Sequence, residues 1–144
     1  MATTEPPASG DLVIKPCGRA FFVYYLAMAL VFLGPRYNPE VGMPVWLGTV
    51  LGLIVLAAMI YQKYGTEYRV TSRGVMRVWR WPSPREREIA WENLGEILVL
   101  RGLTQSMLQV GNLALQDKAG GSDMFWYGLA NPKDVKDLID GKRP

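Results

Sequence analysis

The sequence predicts a membrane α-helical hairpin followed by a small α+β domain, a curved antiparallel sheet or partly open barrel capped by one C-terminal helix. Three observations carry that expectation. Two uncharged apolar stretches lie between Ala20 and Gln62. From Thr66 the pattern changes to short runs of β-formers separated by Gly, Pro, Asn and Ser. The end of the chain, from Asn131, carries apolar side chains at helical spacing.

Residues 1–16 are expected to be a flexible cytoplasmic N-terminus, and residues 17–62 the hairpin, with spans at about 18–34 and 44–62. About 20 helical residues cross a hydrocarbon core of about 30 Å. Met43 to Gln62 has that length. Ala20 to Leu33 reaches it only if Cys17 to Arg19 and Gly34 extend the helix, with Arg19 snorkelling to the headgroups. A cleaved signal peptide is the competing reading. Glu5 and Asp11 ahead of the run, and the lack of a small-x-small site before Gly34-Pro35-Arg36, favour a retained span.

Gly34 to Gly42 has the composition of a tight connection, and its one cation is Arg36. Lys15 and Arg19 precede the first span, and Lys63, Arg69 and Arg73 follow the second, so both termini are expected on the cytoplasmic side. Gly48 and Gly52 form a small-xxx-small pair suited to close helix packing. Neither apolar run, Ala20 to Leu33 or Met43 to Gln62, holds a charged residue, which argues against a proton path or a channel.

The soluble domain is expected over residues 63–140. Its strands are read at Glu67 to Thr71, Val75 to Trp81, Arg85 to Trp91, Glu96 to Arg101, Met107 to Gln116 with a break at Gly111, and Asp123 to Leu129. Turn chemistry separates them at Ser72-Arg73-Gly74, Pro82-Ser83-Pro84, Asn93-Leu94-Gly95, Gly102 to Ser106 and Ala119 to Ser122. The closing helix spans 131–140, with Asn131 as N-cap, Pro132 in the first turn, and Val135, Leu138 and Ile139 on one face. Gly141 ends it, and 141–144 is a tail.

Four segments then stand in a telling order: Glu67 to Val75, Glu88 to Ile97, Leu103 to Leu113, and Tyr127 to Val135. From about Gly65 to Asp140 the chain resembles the bacterial pleckstrin-homology-like (PH) domain family, in the branch where a helical hairpin directly precedes the domain. Pro82-Ser83-Pro84 departs from the more glycine-rich turn usual there. The resemblance implies a bacterial inner-membrane location and a binding role, and it transfers no activity residue by residue.

The chain has no histidine, one cysteine (Cys17) and a formal net charge of +3. It therefore lacks the commonest general base and the usual metal ligand, and cannot form an internal disulfide. No phosphate-binding glycine loop or metal-ligand cluster stands out, so catalytic, metal and cofactor residues are not expected. Asp117 and Asp123 read as turn carboxylates. Lys63, Arg69 and Arg73 are the residues expected to meet lipid headgroups. Trp79, Trp81, Phe125 and Trp126 are expected to supply an aromatic patch for a partner. The expected partners are the lipid bilayer and a membrane protein or a second copy of the chain, with no nucleic acid and no small-molecule substrate. The reading is a non-enzymatic membrane-tethered binding or scaffold module, an accessory or assembly subunit that docks proteins at the cytoplasmic membrane face; an anionic-lipid sensor is the alternative, and an enzyme ranks last.

Overall fold

The computed structural model describes residues 9–81 and 83–144. The first eight residues of the expected N-terminal segment, and Pro82 of the Pro82-Ser83-Pro84 turn, lie outside the described residues. In chain order the elements are β1 (Leu12–Ile14), α1 (Phe22–Tyr37), α2 (Val45–Tyr64), β2 (Thr66–Val70), β3 (Gly74–Trp79), β4 (Arg85–Ala90), β5 (Leu94–Leu100), α3 (Leu103–Met107), β6 (Val110–Asp117), β7 (Met124–Ala130) and α4 (Pro132–Lys142).

The first span solves its length problem at both ends. A 3-10 turn, Gly18–Phe21, leads into α1, and α1 continues past Gly34 to Tyr37 with Pro35 inside it. Together Gly18–Tyr37 and Val45–Tyr64 are each 20 residues of high hydropathy, long and apolar enough to cross a membrane. Pro35 has no N–H to give to the Val31 carbonyl one turn back. Gly48 of α2 lies against that site: a Cβ at Gly48 would come within 2.6 Å of Val31 O and 2.9 Å of Pro35 Cγ. Gly52 meets the Phe32 ring in the same way, at 2.5 Å. The glycine pair thus packs the two helices of the hairpin on each other.

The domain holds two open antiparallel sheets, ordered β1-β2-β3-β4 and β5-β6-β7. β1 corrects the sequence reading. Leu12 pairs with Val70, Val13 with Arg69 and Ile14 with Tyr68, so part of the segment expected to be flexible is an edge strand of the domain. The hairpin is inserted between two paired strands and does not simply precede the domain. Three residues are too few to show a period of two, and their partner lies on the far side of both helices, so local patterning could not reveal them.

Leu103 to Met107 is also corrected to a short helix, from a turn over Leu103 to Ser106 and the first residue of a strand at Met107. Gln105 bonds back to the Gly102 N–H at 2.9 Å and closes its first turn. At α4 the start is left-handed: Asn131 has φ 48° and makes no side-chain cap bond, its N–H bonding instead to Gln109 O at 2.9 Å. The helix runs through Gly141 to Lys142, where Arg143 reaches back to the carbonyls of Leu94 and Gly95.

Tyr68, Val70, Val75 and Ile89 of the first sheet pack on Leu113, Leu115, Trp126 and Leu129 of the second, with Ile139 of α4 beneath them. Each such side chain contributes about 1.5–3 kcal/mol by leaving water. Along β7, Met124 and Trp126 point inward while Phe125 and Tyr127 point outward.

The sheets stay open, and side chains bridge the gap between them. Tyr68, Arg77 and Arg87 are direct cross-strand neighbours on β2, β3 and β4. They bond in turn to Tyr127 and Phe125 on the outer edge of β7 and to Asp123 just before it, every second residue along the chain. Tyr68 Oη donates to Tyr127 O at 2.9 Å, Arg77 Nη1 to Phe125 O at 2.8 Å, and Arg87 Nη1 to Asp123 O at 3.4 Å, with further bonds to Ser122. This row substitutes for the backbone ladder that a closed barrel would have there and covers an edge strand that would otherwise be bare. It also explains two arginines directly opposite one another, an arrangement that normally repels. Of the alternating charges on β4, Arg87 turns to this seam.

Candidate ligand cavity at the hairpin junction

The hairpin is fastened to both sheets. α2 passes through Gly65 directly into β2 of the first sheet. Ahead of α1, the Cys17 N–H donates to Gly128 O of β7 at 2.7 Å. Gly128 has φ 70° and a Cβ there would sit 3.2 Å from the Ala20 Cβ, so the chain approaches β7 closely only because this residue is glycine. Its own N–H donates to Asn112 Oδ1 at 3.0 Å.

Between these anchors lies a cavity of about 450 Å³. Phe21, Tyr24 and Gln62 line it from the helices, and Tyr68, Arg77 and Tyr127 from the sheets, with Gln105 of α3 at one side. Gln62 Nε2 donates to Tyr24 Oη at 2.9 Å across the hairpin. Tyr68 Oη both donates to Tyr127 O and accepts from its N–H, at 2.9 and 2.7 Å, and the ring stacks on Trp126 at 5.0 Å. Burial pushes the Tyr68 pKa up, against the opposing pull of the Tyr127 backbone bond and the Arg77 charge.

Arg77 is the one charged residue lining the cavity among the described residues. Its guanidinium lies 4.6 Å from the Trp79 ring centroid and 5.3 Å from that of Tyr127. Its Nε is buried without a hydrogen-bond partner among the described residues. A guanidinium has five N–H donors, and a charged one in an acid-free cavity attracts an anion that can take them.

A family model for the bacterial PH domain matches residues 14–143. The chain belongs to the bacterial PH domain family. The match starts inside β1 and runs through both helices to the end of α4, in keeping with the strand pairing across the hairpin. No curated protein and no solved structure matches the chain. Membership supports a non-enzymatic binding module in general terms. No group of acidic or cysteine side chains among the described residues is arranged to hold a metal ion.

The PH domain scatters the residues that sequence had grouped. Arg69 is not available to lipid: it is 3% exposed on the outer face of β2, beside Glu67, which is 4% exposed. Glu67 Oε2 lies 2.9 Å from Arg80 Nη2 and 3.4 Å from Arg69 Nη2, and Oε1 is 3.6 Å from Lys15 Nζ. The charge pattern Glu67-x-Arg69 places both on one strand face, where Glu67 pairs with Arg69 and with Arg80, just past the end of β3. Lys63 is half-buried, its Nζ 5.2 Å over the Tyr64 ring, and Arg73 is exposed in the turn between β2 and β3.

Trp126 is fully buried and is removed from the expected aromatic patch. Trp79 is half-buried beneath Arg77, and Trp81 is exposed at the base of α2, edge-on to Tyr61 at 6.3 Å. Phe125 does face outward, stacked on Tyr127 at 6.1 Å. Tyr127 is the member that sequence reasoning missed, and strand alternation from a known inward Trp126 would have found it. Leu98, Ala114 and Phe125 are register partners in one row across the outer face of the second sheet, with Leu100 beside them. The chain then enters α3, whose Leu103 and Met107 are 90% and 86% exposed.

Proposed function

We propose that this PH domain is a membrane-tethered scaffold, an accessory or assembly subunit that docks a membrane protein at the cytoplasmic face of the bacterial inner membrane. The hairpin supports the tether. Only 6% of the first span and 17% of the second is buried inside the structure, so their apolar faces need a lipid solvent in a way that the core helices of a soluble protein do not. In this reading the chain is multi-pass with both termini cytoplasmic, and the half-buried Lys63 and the exposed Arg73 are the cations that would meet headgroups.

The single observation that carries the docking role is the outer face of the second sheet, where Leu98, Leu100, Phe125 and Tyr127 stay exposed in a domain that already has a full core. Grouped apolar side chains of this kind mark interaction surfaces. The test is purification of the full chain from native membranes in mild detergent, with mass spectrometry and a size measurement on the same fraction. The expected result is a stoichiometric membrane-protein partner that is released by Leu98→Asp combined with Phe125→Asp. A lone particle, or a partner held equally by that variant, overturns the reading. An anionic-lipid sensor is the second reading, favoured by the single cation in the junction cavity.

A further inference from the structure

We propose that the junction cavity binds one phosphate-bearing amphiphile, with its phosphate on the Arg77 guanidinium and its apolar part leaving along the spans. This rests on the tether reading, because the ligand reaches the cavity from the bilayer. Four observations converge on it. The cavity is walled by the ends of both spans on one side and by the two sheets on the other. Arg77 brings a positive charge that no acidic lining residue neutralises. One of its Nη atoms is committed to Phe125 O, while its buried Nε has no hydrogen-bond partner among the described residues. The rest of the lining mixes rings and small apolar groups, Phe21, Ala20 and Val110, with the amides of Gln62 and Asn112. That is the lining an amphiphile needs: one cation for the phosphate, amides for ester or hydroxyl oxygens, and apolar walls for the first carbons of the tails. The Glu67 cluster on the outer face of β2 cannot serve instead, since its carboxylate already holds the nearby cations.

The same phosphate chemistry could come from a lipid or from a soluble phosphate, and the experiment separates them. The full chain is purified from native membranes in mild detergent, and lipid phosphorus per chain is measured by extraction and by native mass spectrometry. Wild type and Lys118→Gln, which alters an exposed lysine in the turn between β6 and β7, outside the cavity, are expected to retain about one phospholipid each, the count one guanidinium can hold. Gln62→Glu, which keeps the size of the side chain, can accept from the Tyr24 hydroxyl where Gln62 donated to it, and sets a carboxylate in the cavity, is expected to lower retention about tenfold. Arg77→Gln should do the same; because Arg77 also holds the seam to β7, the result for Gln62→Glu decides if Arg77→Gln fails to fold. Inorganic phosphate added to delipidated protein is expected to leave its melting temperature unchanged, whereas anionic phospholipid raises it. A phosphate-induced rise that matches the lipid overturns the amphiphile and assigns a soluble phosphate ligand. Absence of retained lipid in wild type, or equal retention in Gln62→Glu, overturns the site. Resistance of the chain to carbonate extraction from membranes reads the tether separately, so a chain that stays in the pellet without bound lipid breaks the cavity proposal alone.

Discussion

In the hairpin, Leu30 is 65% exposed and Trp46 67%, whereas in the PH domain Leu113 and Trp126 are both at 0%. The side chains are of the same kinds, and the environments that receive them differ. The domain makes its own apolar interior by laying two open sheets on each other and closing one end with α4. The hairpin makes almost none, and its two helices touch chiefly where Gly48 and Gly52 admit Val31, Pro35 and Phe32. Close approach of backbones is the contact that remains useful when the surrounding solvent is as apolar as the helix surface. The lesson is that hydrophobicity along a chain says what must avoid water, and topology decides how much of it the protein itself encloses.

The widest gap between the regions should appear at their tryptophans. Trp126→Ala opens a cavity in the core and removes the ring stacked on Tyr68, so it is expected to destabilise the domain by about 3–5 kcal/mol. Trp46→Ala, at the start of α2 and far along the hairpin from the domain, should leave the domain's denaturation midpoint where it was. Equal midpoints for the two variants, read by tryptophan fluorescence in detergent, would show that the core described here is wrong.

A smaller effect tests whether the two regions are truly interleaved. Deleting residues 1–14 removes β1 and bares the edge of β2, which should lower domain stability by about 2–4 kcal/mol through lost ladder bonds and lost cover over the core. Hydrogen exchange at Arg69 and Val70 should speed up in parallel. An unchanged melting curve would return the N-terminal segment to the flexible role that its sequence suggested.

Within the hairpin, Gly48→Leu should cost about 1–3 kcal/mol of helix association, because the new Cβ meets a backbone carbonyl that cannot move aside. Gly52→Leu should cost less, since the obstacle there is the Phe32 ring, which can rotate. Spin-label distances between α1 and α2 would rank the two, and the reverse order would refute the packing argument.

The smallest expected change lies at the seam. Tyr68→Phe removes the hydroxyl that serves both backbone groups of Tyr127 and is expected to cost about 1–2 kcal/mol. It should also alter the pH dependence. Burial raises the Tyr68 pKa above its ordinary value of 10.0 in the folded chain. The proton is therefore held more tightly when folded. The resulting stability is complete below the unfolded pKa and is lost as pH rises through the folded one. Wild type should lose stability above about pH 10 more steeply than Tyr68→Phe, and denaturant titrations across that range would show it.

Residue periodicity and turn chemistry made most of the domain legible in the sequence. Six strands were found with their ends displaced by one to a few residues, as at Thr66, Leu94 and Val110, because the flanking turns fix the interior of a strand better than its ends. The candidate cavity was not legible. Its lining comes from segments far apart in sequence, and Arg77 looked like one of several arginines mixed with tryptophans. Charge counting could not tell Arg69, buried beside Glu67, from the exposed Arg73 four residues later.

By itself, the sequence determined the two apolar spans, the alternation that builds β-strands and the helix that ends the fold, because each of these depends on side chains within a few residues of one another. Tertiary structure alone decided that β1 pairs with β2 around the hairpin, that Tyr68, Arg77 and Arg87 bridge the open sheets to β7, and that a single guanidinium faces the junction cavity. Those features exist only once distant strands are brought into register, and no local pattern encodes the register of strands separated by two helices.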